Sequence, residues 1–369
     1  MSDIRAQKFA QIMVDHSTQV QPGDRVAVTA TTAAEPILTA LYGLILERGG
    51  YPHLLIDIPN QDELLFKHAS DEQLEFVPVF HQTAFGQFDV LIKIRSELNT
   101  RGLSGVASDR LSHRQKATAS LINTQMRRGA EGSLRWLSTL YPTTAYAMEA
   151  EMGFGEYSDF FFRACHADEG TPDPVAHWQG IEQEQKRIIQ AIQGHDLVTV
   201  RGPHADLSLS IQGRIFRNAC GQHNLPDGEI FTGPVENSLN GWVRFSYPAI
   251  YQGRVVEGIE LKFVDGKVIE ATAKKNQDVL LTMLDIDEGA RYVGEFAIGT
   301  NFEINRFTHS ILLDEKIGGS FHMALGAGYP ETGSQNKSLI HWDMICDLRQ
   351  DSEITVDGEV FYRDGQFVI

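Results

Sequence analysis

The pattern of apolar residues changes once along the chain, near Gly194, and that change restricts the available folds more than any other feature. Before it, short apolar runs alternate with helical spacings. Ile4, Phe9, Ile12 and Met13 repeat at helical intervals between Ile4 and Ser17, closed by the turn Gln21-Pro22-Gly23-Asp24. A strand is expected over Arg25 to Thr29 and a helix over Ala33 to Arg48, ended by Gly49-Gly50. His53 to Asp57 and Phe88 to Ile94 read as buried strands of a parallel sheet. Arg110 to Arg128 and Thr143 to Glu151 read as helices, with a strand from Leu134 to Tyr141 between them. This repeated strand-helix-strand order predicts the α/β class, with a doubly wound N-terminal layer. Past Gly194 the runs are short and β-branched. Asp265-Gly266, Asp357-Gly358 and Asp364-Gly365 each lie between apolar runs, the signal for hairpins. The C-terminal half is therefore expected to be an α+β domain, mainly antiparallel, with one helix near Asp278 to Gly289. The Gly- and Pro-containing acidic segment Asp168 to Val175 separates the halves, giving expected domains at 1–175 and 176–369, the second opening on a helix from Ala176 to Gln193.

Two domains also suit 369 residues, more than one common core holds. Thirty-two basic against 49 acidic side chains leave a net charge of −17, which argues against a nucleic-acid backbone or an anionic membrane surface as partner. The N-terminus has no apolar h-region and no run of 18 apolar residues occurs, so neither secretion nor membrane spanning is expected. Cys165, Cys220 and Cys346 are far apart and form no C-x-x-C, which fits a reducing, cytoplasmic location and small buried hydrophobes. The first strand runs into Thr29-Ala30-Thr31-Thr32 without a glycine-rich phosphate loop, so a nucleotide role is not expected.

The chemistry concentrates in the window from His322 to Asp343. On a strand, His341 and Asp343 point the same way with Trp342 opposite, and an imidazole beside a carboxylate suits Zn, Co or Mn. The glycine-rich stretch before them is expected to bring His322 and Tyr329 round to the same place. Glu229 opens an apolar strand after a Pro/Gly turn, and Glu295 stands in the middle of another, where a carboxylate is costly to bury unless a cation compensates. Each has a plainer reading: a hydrogen-bonded core pair for H-x-D, and a solvent-facing position for either glutamate. Glu229, Glu295, His322, Tyr329, His341 and Asp343 together exceed what one tetrahedral ion needs, but suit two ions sharing a bridging group. No H-E-x-x-H and no G-x-S-x-G occurs.

Over nearly its whole length the chain resembles the aminopeptidase T family of two-metal metallo-aminopeptidases. The likeness rests on NLPDGEIFTGP (224–234), Gly294-Glu295, LLDEKIGGSFHMALGAGY (312–329) and HWDM (341–344). The 66 residues between the two glutamates and the 7 from His322 to Tyr329 also match. The resemblance implies that Glu229, Glu295, His322, Tyr329, His341 and Asp343 are the metal ligands, and that two divalent ions (Zn, Co, Mn or Mg) activate water to release N-terminal amino acids from short peptides. It also implies a homodimer. The N-terminal domain has no catalytic candidates of its own and is expected to shape the entrance and the dimer contact, limiting substrates to short peptides. Glu315, in the Asp314-Glu315 pair, is the candidate proton shuttle, with Glu295 as an alternative and a hydrogen-bonding role as the plainer reading. Tyr329 is either a ligand or a hydrogen-bond donor to the oxyanion. Many members carry Asn after the Asp-Glu pair where this chain has Lys316, a departure expected to touch a neighbour of the site and so bear on substrate preference.

Two other readings stay open. A two-metal phosphoesterase would need basic anion ligands, for which the 312–343 window offers only Lys316 and Lys337. A non-catalytic protein would use the same donors merely to fix its C-terminal fold. His223, His309 and Trp342 are expected to pack.

Overall fold

A computed structural model of the chain describes residues 3–251 and 253–369. They form two compact units, one of residues 3–179 and 221–226, the other of residues 180–220, 227–251 and 253–369.

The first unit is a parallel sheet wrapped by helices. Its strands are β1 (Arg25–Thr31), β2 (Tyr51–Asp57), β3 (Val90–Arg95) and β4 (Arg135–Leu140), with a short strand at Asn224–Leu225 that joins the β4 edge. The order β2-β1-β3-β4 places the first strand inside the sheet, so successive crossovers run both ways from it, the doubly wound arrangement. Helices α1 (Ile4–Gln11), α2 (Glu35–Glu47), α3 (Gln61–His68), α4 (Asp71–Glu75), α5 (Val79–Gln87), α6 (Ser108–Ala130), α7 (Thr144–Glu149) and α8 (Phe154–Ala164) connect or flank the strands. α1 continues into a wider turn of helix at Ile12–Ser17, so the expected first helix is present but changes pitch midway. Helices α3, α4, α5 and α8 are additions to the expected set. A local signal for α4 exists, because Ser70 and Gln73 form a reciprocal capping box.

α9 (Pro174–Ile192) leads into the second unit. Its strands are β5 (Leu197–Gly202), β6 (Ala205–Ser210), β7 (Arg217–Ala219), β9 (Glu229–Thr232), β10 (Asn240–Arg244), β11 (Ala249–Tyr251) and β12 (Arg254–Val256), β8 being the Asn224–Leu225 strand of the first unit. They end with β13 (Glu260–Val264), β14 (Lys267–Thr272), β15 (Val293–Gly299), β16 (Ser320–Gly326), β17 (His341–Asp347), β18 (Glu353–Val356), β19 (Glu359–Arg363) and β20 (Gln366–Phe367), with α10 at Gln277–Leu284 and α11 at Ile311–Asp314. One antiparallel sheet runs β14-β13-β10-β6-β5-β18-β19-β20, and a second runs β17-β16-β15-β9-β7. All three Asp-Gly pairs close hairpins. Asp265, Asp357 and Asp364 have φ of 49°, 48° and 48°, and the glycine after each is also left-handed, as a two-residue turn matched to strand twist requires.

β16 is the main departure from expectation. His322 lies inside this seven-residue strand rather than on a glycine-rich turn, paired with Ala297 on one side and Ile345 on the other. The segment SFHMALG lacks β-branched residues, so its local preference does not announce a strand, and pairing on both edges decides it.

Candidate metal centre

Strand parity sorts the β9-β15-β16-β17 sheet into two chemically different faces. One carries Ile230, Phe296, Ile298, Phe321, Met323, Leu325, Trp342, Met344 and Cys346 into the main hydrophobic core. The other carries Glu229, Glu295, His322, His341 and Asp343. The register aligns them: Glu229 faces Gly299, Glu295 and Asp343 each face Ala324, His322 faces Ala297, and His341 faces Gly326. Opposite the donors this face carries mainly small residues, Ala297, Gly299, Ala324 and Gly326, with Ile345 beside His322 and Phe231 beside Ala297. That leaves the carboxylates and imidazoles room to converge.

Converge they do, in three overlapping groups whose donor atoms lie within 4.8 Å of one another: Glu229, Glu295 and His322; Glu295, His341 and Asp343; Glu315, His322 and Asp343. His322 Nε2 is 3.5 Å from Glu229 Oε2, 3.8 Å from Glu295 Oε1 and 4.0 Å from Asp343 Oδ1. His341 Nε2 is 3.1 Å from Glu295 Oε2 and 3.4 Å from Asp343 Oδ1. Glu295 thus turns one oxygen to each imidazole. His341 Nδ1 donates to the Ala327 carbonyl at 2.7 Å, which leaves Nε2 as the nitrogen aimed inward.

Gly294 explains how Glu295 reaches this position. A Cβ there would lie 2.3 Å from the Gly326 carbonyl oxygen and 2.4 Å from that of Ala327, so only glycine fits. The β15–β16 register shifts at this point.

Charge has collected here with little to balance it. Burial opposes ionisation of Glu295, but the facing imidazoles of His322 and His341 outweigh it and hold the carboxyl well below the usual range. Burial would lower the His322 pKa, yet the facing carboxylates push it up to about 9. His341 is raised well above an ordinary imidazole by Asp343 and Glu295, against the same burial. Burial raises Glu315 above the usual carboxylate range, only partly offset by Lys316. Among the described residues, Glu229 Oε2 and Asp343 Oδ1 are buried without a hydrogen-bond partner. Two orphaned carboxylate oxygens facing imidazole nitrogens are what a divalent cation would satisfy, so the donor set fits such an ion.

Tyr329 stands at the rim. It follows β16, is 40% exposed, and packs its ring 5.2 Å from His341 and 5.4 Å from Phe231. Burial of its hydroxyl, with the charges of Glu295 and Asp343, raises its pKa far above that of an ordinary phenol. Trp342 packs in the core, His223 stacks on Trp136 at 4.5 Å, and His309 lies edge-on to Phe307 at 4.8 Å.

Lys316 requires a correction. It is no mere neighbour of the site: its Nζ lies 2.5 Å from Glu229 Oε1, 2.8 Å from Glu315 Oε1 and 3.5 Å from Asp227 Oδ1. The residue is 1% exposed. A sequence cannot reveal that contact, because 87 residues separate Lys316 from Glu229.

Known proteins resemble this chain in overall sequence and in fold. A profile of the thermophilic metalloprotease family (M29) matches residues 2–367. "Aminopeptidase 2" of Geobacillus stearothermophilus is 27% identical, over 98% of this chain and 97% of its own. "Aminopeptidase T" of Thermus thermophilus is 26% identical, over 97% and 95%. The solved structure of wild-type AmpT from Thermus thermophilus superposes with a TM-score of 0.87 at 22% identity, covering 99% of both chains, which shows a shared fold.

Proposed function

The chain belongs to the thermophilic metalloprotease (M29) family, and from that premise we propose that it is a metal-dependent aminopeptidase, a hydrolase releasing N-terminal residues from peptides. The observation that carries this reading is the sharing of Glu295, His322 and Asp343 among three overlapping donor groups on one sheet face. Glu229, Glu295, His322, His341 and Asp343 would hold two divalent ions drawn from Zn, Co, Mn or Mg, with Tyr329 available as a sixth donor. When bound, such ions polarise a carbonyl and bring the pKa of water toward neutrality.

The chain's own groups account for the remaining steps. Hydrolysis joins a water oxygen to the carbonyl carbon, breaks the C–N bond, and moves one proton from the water to the departing amine. Glu315 is suited to carry that proton, because it stands in one donor group with His322 and Asp343 and burial favours its protonated form more than that of an ordinary carboxyl. Glu295 is the poorer choice, since two imidazoles hold it ionised. Tyr329, whose hydroxyl keeps its proton well past the ordinary phenol range, would donate a hydrogen bond to the tetrahedral oxyanion. The net charge of −17 suits substrates that present a cationic free terminus.

The test is release of p-nitroaniline from an aminoacyl-nitroanilide before chelation, after it, and after Co, Zn, Mn or Mg is restored, with an N-acetylated substrate as control. Absence of metal-dependent release, or equal cleavage of the blocked substrate, would end this reading. A cytoplasmic homodimer completes it. Cys165, Cys220 and Cys346 are buried, which fits a reducing compartment, and among the described residues no helix is long and apolar enough to cross a membrane. Sedimentation of a fully active monomer would remove the dimer.

A further inference from the structure

Lys316 places a positive charge at one end of the donor cluster and not at the other. Its ammonium is held by three carboxylates, Glu229, Glu315 and Asp227, at 2.5, 2.8 and 3.5 Å. It has no route to solvent, being 1% exposed. Its backbone is fixed as well: Lys316 N–H donates to the Leu313 carbonyl at 3.0 Å, and its own carbonyl accepts from Asn301 N–H at 3.1 Å.

The two halves of the cluster therefore differ in free charge. Glu295, His341 and Asp343 offer two carboxylates, neither of which Lys316 touches. Glu229, Glu295 and His322 also contain two, but Glu229 Oε1 is already paired with Lys316 and only Oε2 faces His322. A cation on that side meets a ligand already paired with an ammonium, which Glu229 shares with Glu315 and Asp227. Glu229 has correspondingly less charge to offer a second cation, in a site where solvent screens the two cations weakly.

We propose that Lys316 acts as a built-in cation that makes the two metal positions unequal, so that one divalent ion is held tightly by Glu295, His341 and Asp343 and the position at Glu229 and His322 is weak and exchangeable. The inference rests on the reading of this cluster as a metal centre. It assigns Lys316 a role in setting metal stoichiometry, acting through Glu229 rather than on substrate.

Mn(II) titration of the demetallated full-length chain tests it, followed calorimetrically and by metal content after desalting. The unaltered protein is expected to bind in two phases with dissociation constants at least about tenfold apart, and to keep one ion per chain after desalting. Lys316→Asn is expected to narrow the gap and to retain a second ion. His322→Ala should remove the weak phase while leaving the tight one. Two equally tight ions in the unaltered chain would overturn the proposal whether or not the variants fold. A folded Lys316→Asn with an unchanged gap would overturn it too. Failure of the unaltered chain to bind any ion would instead defeat the metal-centre reading itself.

Discussion

His341 divides its two ring nitrogens between structure and chemistry: Nδ1 lies 2.7 Å from the Ala327 carbonyl oxygen, and Nε2 lies 3.1 Å from Glu295 Oε2. A carbonyl can only accept, so the Nδ1 contact fixes the tautomer and leaves Nε2 for whatever Glu295 also serves. His341→Ala and Glu295→Gln should each lower metal affinity by more than about a hundredfold and abolish activity. Steady-state kinetics paired with metal analysis checks this; a near-normal rate and metal content would show that the site is elsewhere.

Glu315→Gln isolates proton transfer from metal retention. The amide keeps the shape of the carboxyl but cannot carry a proton. The variant should hold its metal while kcat falls by about 10² to 10⁴. An unchanged kcat would pass the role to another group.

Gly294→Ala tests the scaffold rather than the donors. The added methyl would be driven into the Gly326 and Ala327 carbonyls at 2.3 and 2.4 Å, and Ala327 is the residue that orients His341. Overpacking of this kind costs about 1–3 kcal/mol. Thermal melting should show the loss, together with weaker metal binding; a variant as stable as the parent would mean that β15 and β16 can separate freely.

Chelation should remove activity without unfolding the chain, because the core under the site is built from the opposite sheet face. Far-ultraviolet circular dichroism should be retained while the melting temperature falls, in line with about 3 kcal/mol lost when a ligand at a hundred times its Kd is withdrawn. Unfolding at room temperature would instead favour a purely structural role for the ions.

Acid should weaken the first unit through His166. Burial, with His177 at a ring distance of 3.9 Å, pushes the His166 pKa down to about 4. A depressed histidine favours the folded state above its ordinary pKa of 6.5, and that contribution is lost as pH falls through about 4. The amount is on the order of 2 kcal/mol after allowing for partial solvent screening. His166→Asn, which tolerates the residue's φ of 53°, should flatten the fall in melting temperature between neutral pH and about 4. A slope as steep as the parent's would point to other groups.

The α/β layer and the antiparallel half were legible because apolar spacing and the Asp-Gly turns report local geometry directly. Glu229 and Glu295 stood out because a carboxylate inside an apolar run is costly, whichever way it is explained. Three features were hidden. β16 has no β-branched residue, and its extended form comes from its two neighbours. Helices α3 and α5 have weak amphipathic patterns, and no residue of α3 is fully buried. The Lys316–Glu229 ion pair is purely tertiary.

Because five donors sit at fixed rungs of adjacent strands, the arrangement is unforgiving of changes in chain length. Deleting one residue from β16 would turn Phe321 or Met323 toward the carboxylates and drive His322 into the apolar layer. Inherited insertions and deletions should accordingly be confined to the connections outside these strands, while the spacing within each strand stays constant among functional descendants.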